Sequence, residues 1–259
     1  MKSLIKTPTE IQAMREGGKI LAMVLKEVAE AVKPGIKTIE LNKLAERRLR
    51  ELGAKPSFLG YKSDYLVYPA SLCTSVNSEV VHGIPKKNKI LEEGDIVGLD
   101  LGCWYKGLCV DTATTAAVGN VSAGAQKLIK ITKQSLIEAL RQVQGGVSIG
   151  DIGHVVETYV EAQGFSVVRQ LTGHGVGRSV HEEPAIPNFG QAGKGPKLLA
   201  GMTIAIEPMV NAGGYEVATQ ADGWTVVTVD GSLSAHFEHR YNHQESYFNN
   251  LHLGDYCFW

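Results

Sequence analysis

Acidic residues inside apolar, strand-like segments are the feature of this chain that could do chemistry. Asp100 lies in the run Ile-Val-Gly-Leu-Asp-Leu, and Glu207 lies in Thr-Ile-Ala-Ile-Glu-Pro. Asp111 and Glu238 have comparable settings. An ionised carboxylate in an apolar strand is costly unless a cation is near it, and neither Asp100 nor Glu207 has Lys or Arg beside it in the chain. These acids therefore predict a site for bound cations.

A histidine in a glycine-rich run completes the set. His174 lies in Thr-Gly-His-Gly-Val-Gly, and His181 follows in Val-His-Glu-Glu-Pro. One acid at a strand end is explained equally well as a cap on a turn. Four such acids with one imidazole supply the oxygen and nitrogen ligands that a pair of divalent metal ions needs. The combination favours a two-metal site.

Composition excludes several other classes. The chain has 259 residues with 44% apolar content, which suits one large domain. Its net charge of -1 gives no basic footprint for nucleic acid or an anionic membrane. The first residues lack a signal-peptide core, and no apolar run approaches the roughly 18 residues of a membrane helix. Four cysteines without a Cys-x-x-Cys pair argue against a zinc finger and predict a reducing cytoplasm; they are Cys73, Cys103, Cys109 and Cys257.

Two helix pairs are predicted to position the site. Thr7, Pro8 and Glu10 form a capping box with proline at the first helical position, and an apolar stripe continues towards Pro34-Gly35. A second helix is expected from about Thr38 to Leu52. Later in the chain, one helix should start after Ser122 and another should run from about Ser148 to Ala162.

Strands are predicted between the helix pairs, and the pattern repeats. The candidate strands are rich in strand-favouring residues and span Leu66 to Ser75, Ile96 to Leu101 and Leu108 to Val118. The order of two helices followed by strands occurs twice, with Asp100 and Glu207 at similar points in each half. This indicates an internal duplication, which would bring acids from both halves together where the halves meet.

Seven short motifs occur in one order, and together they are much more specific than any one alone. They are Val80-Val81-His82-Gly83-Ile84-Pro85, the pair Asp100 and Asp111, Gly173-His174-Gly175-Val176-Gly177, His181-Glu182-Glu183-Pro184, Gly201 to Met209, Asp222-Gly223-Trp224-Thr225 and Ser234 to His239. On these motifs the chain resembles the type I methionine aminopeptidases in their short bacterial form, from about Ile5 to His239.

The resemblance implies an α/β (α+β) "pita-bread" fold, in which a curved antiparallel sheet is flanked by two helix pairs with pseudo-twofold symmetry. It implies a single catalytic domain over residues 1–239 and an atypical tail over 240–259. The implied activity is removal of the initiator methionine from nascent polypeptides with a small second residue. The implied setting is the cytoplasm, with nascent N-termini at the ribosome as partners and a monomeric enzyme.

The resemblance also implies the ligands and the mechanism. Two divalent ions, drawn from Co, Mn, Fe or Zn, would share a hydroxide that attacks the scissile carbonyl, and Glu207 would also shuttle a proton. Asp111 and Glu238 would bridge the ions, and Asp100 would bind one of them. The five implied metal ligands are Asp100, Asp111, His174, Glu207 and Glu238.

Further residues gain implied roles in the same way. His82 and His181 would be catalytic, by hydrogen bonding to the substrate peptide, and Asn77 would contact its backbone. The implied methionine pocket and substrate contacts are Tyr65, Tyr68, Cys73, His82, His181 and Trp224. Taken alone, His82 is a loop histidine, Trp224 and Cys73 suit a core, and Glu182 and Glu183 suit a solvated turn. His236 shares the strand face of Glu238 and is expected near the site without being a ligand.

Two other functions stay open, and the tail bears on both. A proline-specific peptidase of the same fold would normally carry a large N-terminal domain, and a non-catalytic pita-bread binding protein would lack metal ligands.

After His239 the chain has no Val, Ile or Thr, so a strand that should hold Glu238 is in question. Either Glu238 is loosened, or residues 240–246 still pair through their backbone while the aromatic tail docks or stays disordered.

Overall fold

A computed structural model describes residues 4–63 and 66–242 of the chain. The helices in these residues are α1 (Pro8–Glu30), α2 (Thr38–Glu51), α3 (Ala123–Gln142) and α4 (Ile149–Glu161). The strands are β1 (Lys55–Pro56), β2 (Lys62–Ser63), β3 (Leu66–Val67), β4 (Leu72–Val76), β5 (Glu79–Val81), β6 (Ile96–Tyr105), β7 (Leu108–Ala117), β8 (Ser166–Val167), β9 (Gly173–Gly175), β10 (Glu182–Ile186), β11 (Thr203–Ile206), β12 (Met209–Asn211), β13 (Val217–Thr219), β14 (Val226–Thr228), β15 (Ser234–His236) and β16 (His239–Asn242). None of the helices described is long and apolar enough to cross a membrane.

The helix starts follow the capping residues read from the sequence. At α1 the Thr7 side chain accepts a hydrogen bond from the Glu10 amide (3.3 Å), and the Glu10 carboxylate accepts one from the Thr7 amide (2.8 Å). The Ser122 hydroxyl accepts the Ala125 amide at the start of α3. The one difference is at the end of α1, which stops at Glu30 and reaches Pro34 through turns rather than helix.

The strand expectations need one correction. β6 and β7 form a long hairpin with ten paired residues on each strand. β6 continues to Tyr105, beyond its predicted end at Leu101, and β7 ends at Ala117, one residue before its predicted end. The single strand expected from Leu66 to Ser75 is instead two short strands, β3 and β4. Pro69 lies between them, and proline has no amide to donate to a sheet ladder.

All the strand pairs are antiparallel, which confirms the implied fold. β6 pairs with β7 along its whole length, and also with β1 and β4. A second four-stranded sheet has the order β10-β9-β11-β16. The smaller sheets have the orders β15-β12-β8, β13-β14-β5 and β2-β3. The strands that carry the candidate ligands are thus internal or fully paired, which fixes the direction of their side chains.

The two largest apolar clusters of the core each belong to one helix pair. The first lies between α1, α2 and the strands β4, β6 and β7; Leu21, Leu41 and Leu99 are among its fully buried members. The second lies between α3, α4 and the strands β11, β12 and β15; Leu136 and Ile204 represent it. This arrangement repeats the helix-pair pattern seen in the sequence.

The two halves are joined at the strand that carries Asp111. The backbone amide of Glu238 donates to the Ala113 carbonyl (3.0 Å), and the Thr112 hydroxyl donates to the Glu238 carbonyl (2.8 Å). The Thr115 hydroxyl donates to the His236 carbonyl (2.8 Å). Asp111 and Glu238 are therefore held in register across the junction.

The start of the unusual C-terminal segment continues the second sheet. Residues 239–242 pair with all four residues of β11, with Arg240 opposite Ala205. Backbone pairing is thus present through Asn242 despite the unfavourable composition, because ladder hydrogen bonds use no side-chain atoms. The rest of the tail, including Cys257, lies outside the described residues, and the division of the chain at residue 239 stays a prediction.

We expect Glu10 to give the fold a stability that is lost at low pH. The hydrogen bond from Arg178, with one from the Thr7 amide, lowers the pKa of Glu10 from 4.5 to about 2. A carboxylate with a depressed folded-state pKa stabilises the fold above its unfolded value and loses that contribution as pH falls. Glu10→Gln should therefore lower the free energy of unfolding at pH 7, and the gap to the parent chain should close between pH 4.5 and about 2. Urea titrations across this range provide the check; a constant gap would contradict the prediction.

Candidate metal centre

The four acids converge from different strands on one cavity of about 350 Å³. Asp100 lies on β6 and Asp111 on β7, in adjacent strands of one hairpin. Glu207 directly follows β11, and Glu238 lies between β15 and β16. Oδ1 of Asp100 and Oδ1 of Asp111 are buried and accept no hydrogen bond from the described residues. Buried carboxylate oxygens without donors are what a bound cation would satisfy.

His174 is placed by the glycines on either side of it. A Cβ at Gly175 would lie 2.1 Å from the Glu183 carbonyl oxygen, so only glycine lets β9 approach β10 this closely. Nδ1 of His174 lies 2.8 Å from the Gly175 carbonyl oxygen. Because a carbonyl only accepts, Nδ1 carries a proton, and in the neutral ring the lone pair is then on Nε2. This is the tautomer that a metal-binding histidine requires.

Distances tie this histidine to the acids. Nε2 of His174 lies 3.5 Å from Glu207 Oε1 and 3.6 Å from Asp111 Oδ2. One ligand atom from each of Asp111, His174 and Glu238 can be chosen so that all three lie within 4.8 Å of one another. Asp100 lines the same cavity. The structure therefore brings together all five residues that the sequence analysis selected as ligands.

The electrostatics are those of a site built for positive charge. Burial raises the pKa of Asp100 to about 7. Burial, reinforced by the neighbouring Asp111, raises the pKa of Glu238 well above its usual range. Burial also raises the pKa of Asp111. Crowded carboxylates that resist ionisation alone would be stabilised as anions by divalent cations, which supply the missing opposite charge.

Glu207 differs from the other acids because of a second histidine. Burial acts to raise its pKa, but His236 and His174 outweigh that effect, so the pKa of Glu207 falls below its usual value. Nε2 of His236 lies 3.5 Å from Glu207 Oε2. The expectation that His236 lies near the site is thus met, and its contact is with Glu207. The Asn188 amide also donates to the Glu207 backbone carbonyl (2.9 Å).

The two histidines predicted to contact substrate both line the cavity. His82 has a φ of 59°, a left-handed conformation that is uncommon outside glycine and that Asn, Asp and His adopt most often; such conformations concentrate at functional sites. His181 lies with its ring centroid 4.5 Å from that of His174, and its Nδ1 lies 2.8 Å from the Tyr61 hydroxyl. Desolvation of the ring, with the neighbouring His174, lowers the pKa of His181 to about 4. His181 is therefore neutral at pH 7.

An apolar wall lies next to the acids. Tyr68, Cys73 and Trp224 line the cavity as the sequence analysis proposed, with the rings of Tyr68 and Trp224 edge to face at 5.3 Å. Burial raises the pKa of the Cys73 thiol well above its usual value, so it behaves as an apolar group. Tyr65 lies outside the described residues.

Sequence reasoning also missed or misplaced several residues. Asn77 does not line the cavity: its amide donates to Asp95 and accepts from the Ile96 amide, so its predicted substrate contact is wrong. Glu182 is not a solvated turn residue but half of an ion pair with Lys6. The cavity-lining residues that the sequence analysis did not select are Phe58, Tyr61, Val81, Gln170, Leu171, Thr172, Val180 and Met209.

Residues 12–244 match the sequence pattern of metallopeptidase family M24, and the chain belongs to this family. Within it, the similar proteins are methionine aminopeptidases. The methionine aminopeptidase of Clostridium acetobutylicum is 48% identical, with 91% of this chain and 92% of that protein covered. This similarity makes the chain a hydrolase of the metallo-exopeptidase class.

Solved structures of methionine aminopeptidases are more similar to this chain than those of proline-specific peptidases. The crystal structure of methionine aminopeptidase from Thermotoga maritima has a TM-score of 0.87 and 44% identity, covering 91% of this chain and 93% of that one. An X-Pro aminopeptidase structure from the same species has a TM-score of 0.70 at 20% identity and is covered over only 59% of its length. The second likeness shows the fold alone, so the proline-specific alternative is less supported.

Proposed function

We propose that this chain releases the N-terminal methionine from polypeptides whose second residue is small. The observation that carries the proposal is an apolar wall beside a cluster of metal-ligating side chains in one cavity. Tyr68, Cys73 and Trp224 offer a surface suited to a flexible thioether, since methionine sulfur packs favourably against aromatic rings. The candidate metal ligands line the same cavity, so a methionine side chain packed against this wall would have its peptide bond near them.

We propose that two divalent ions occupy the cluster. The donor set fits them, since carboxylates and one imidazole suit Mn, Fe, Co or Zn, and the buried Oδ1 atoms of Asp100 and Asp111 lack donors among the described residues. Bound ions would lower the pKa of a water molecule and polarise the scissile carbonyl. The residues that would hold them are Asp100, Asp111, His174, Glu207 and Glu238.

The chain's own groups would position the peptide and move the proton. In the tautomer of neutral His181 whose Nδ1 accepts the Tyr61 hydroxyl, the proton lies on Nε2, where it would be a donor for the substrate carbonyl. His82 lines the same cavity and would make a second contact with the peptide. Glu207, which stays ionised because of its two histidine neighbours, would accept a proton from the attacking water and return it to the leaving amine.

The proposed setting follows from the same reading. The substrates would be nascent polypeptides as they leave the ribosome, and the enzyme would act as a monomer in the cytoplasm. The charge balance of the chain, with a net charge of -1, favours a peptide substrate over nucleic acid.

The test is methionine release by the full chain, supplied in turn with Mn, Co, Fe or Zn. We expect cleavage of Met-Ala-Ser and Met-Gly-Ser. We expect no cleavage of Leu-Ala-Ser, because a branched side chain fits the cavity wall less well, and none of Met-Lys-Ser or Ala-Pro-Ser. Folded protein that releases no methionine with any metal would overturn the proposal, and preferential cleavage of Ala-Pro-Ser would return the proline-specific alternative.

A further inference from the structure

The segment before α1 contains a buried lysine that the chemistry above does not use. Lys6 is only 2% exposed. Its ammonium lies 2.6 Å from Glu182 Oε2 and also donates to the Leu4 carbonyl (3.3 Å). Lys6 is not among the residues that line the metal cavity. A lysine is seldom fully buried without a partner, so its contact with Glu182 is the feature to explain.

Glu182 uses its other carboxylate oxygen to hold a turn. Oε1 accepts hydrogen bonds from the backbone amides of Arg178 and Ser179, the latter at 2.9 Å. Arg178 in turn donates through Nε to Glu10 (2.8 Å) and through Nη2 to the Ile5 carbonyl (3.1 Å). The turn at residues 178–182 is therefore bound at two positions. Lys6, in the segment before α1, contacts Glu182, and Glu10, in the first turn of α1, contacts Arg178.

The packing around Lys6 leaves little freedom to this turn. A Cβ at Gly177 would lie 2.5 Å from Lys6 Cε, so the lysine stem lies directly against the backbone there. The Gly177 carbonyl accepts the Cys109 amide (2.6 Å), and the Lys6 amide donates to the Gly201 carbonyl (2.8 Å). The lysine is thus fixed to the second half of the chain by its backbone, its stem and its charge.

His181 lies within this turn. This histidine immediately precedes Glu182, the first residue of β10, whose backbone lies opposite Gly175, next to His174. Among the described residues, two side chains hold the ring of His181: the Tyr61 hydroxyl is 2.8 Å from Nδ1, and the rings of Tyr61 and His174 meet it edge to face. Because these contacts are few, the position of the ring depends on where Glu182 holds the backbone.

We propose that Lys6 is a positioning residue for His181 and acts through Glu182 from outside the cavity. This inference rests on the proposed function, in which His181 donates to the substrate carbonyl. An error of about 1 Å in such a group can cost up to 100-fold in rate. Loss of the Lys6 charge would remove the contact at Glu182 Oε2 and leave the side chain held through Oε1 alone, so that the turn could shift and move the donor away from the carbonyl.

The test is Lys6→Met in the full chain, in the parent background and in a His181→Ala background. Met keeps the stem and removes the charge. We expect kcat/KM for Met-Ala-Ser to fall by about tenfold in the parent background, mainly in kcat, and by less than about twofold in the His181→Ala background. The matched control is Lys106→Met, which removes an exposed lysine paired with Glu16 at 2.6 Å and should leave both values unchanged.

A second variant and a second readout keep the outcomes separate. Glu182→Gln weakens the same ion pair from the other side and should give the same dependence on His181. In both variants the imidazole nitrogen resonances of His181 should shift, whether or not the protein cleaves peptide, so failure of the proposed function is recognised independently. Equal losses of activity in both backgrounds, an unmoved His181 resonance, or failure of both variants to fold would show that Lys6 serves stability alone and would overturn the proposal.

Discussion

Glu238→Gln is expected to lower kcat/KM for methionine release by the metal-loaded protein by more than about 100-fold. Mutating a residue that only supports a metal ligand already lowers activity by about 10–100-fold, and Glu238 is itself a candidate ligand. Glu238 is 5% exposed and lies within 4.8 Å of Asp111 and His174 by their ligand atoms. Glutamine keeps the shape of the side chain and removes its charge and one strong ligand oxygen. The measurement is kcat/KM for Met-Ala-Ser together with Mn affinity by calorimetry.

The same variant should be more stable than the parent chain when no metal is bound. Burial and the nearby Asp111 raise the pKa of Glu238. A carboxyl with a raised folded-state pKa stabilises the fold at low pH and loses that contribution as pH rises. Without metal at pH 8, the Tm of Glu238→Gln should therefore exceed that of the parent chain, and with metal the order should reverse. The exposed substitution Glu161→Gln is the control. If the same protein had the higher Tm both in chelator and in Mn, the explanation would be contradicted.

The second large loss of activity is expected in one of two C-terminally shortened chains. A chain that ends after His239 loses three of the four residue pairs between β16 and β11, and also the donation from Arg240 Nη2 to the Met14 carbonyl (2.7 Å). Glu238 would then be one residue from a free end. We expect methionine release and metal affinity to fall by about 10–100-fold, the range for lost support of a metal ligand, and the Tm to fall as well.

A chain that ends after Asn242 is the matched control. It keeps the whole β11–β16 register, so its methionine release, Mn affinity and Tm should equal those of the full chain. If the two shortened chains behave alike, the strand pairing does not hold Glu238, and the bridge between Glu238 and Ala113 is sufficient by itself.

The candidate site residues could be selected from the sequence because their strongest signals are local. An acid in an apolar strand and a histidine between glycines are visible without knowing any contact, and both kinds of residue reach the cavity. Helix starts were equally accessible, because a capping box involves residues three apart. The broken strand at Pro69 was readable in principle, since proline marks a gap in a ladder.

The errors arose where the decisive partner is distant. Glu182 looked like a solvated turn residue because Lys6, its partner, is 176 residues away. Asn77 looked free to meet substrate because its partners Asp95 and Ile96 lie on another segment. Tyr61 lies in a stretch without regular pattern, so its place in the cavity lining and its hydrogen bond to His181 become visible only in the structure.

The distribution of the candidate ligands along the chain makes bound metal a non-covalent cross-link. Asp100 and Asp111 come from the hairpin of the first half, whereas His174 and Glu238 come from the second. Neither half carries the complete set, so a fragment or a half-folded chain would hold the ions weakly. Ligands that bind only the folded state stabilise it by mass action. The metal would therefore tie distant parts of one polypeptide together, as a disulfide does in an oxidising compartment, but reversibly and under the control of metal supply.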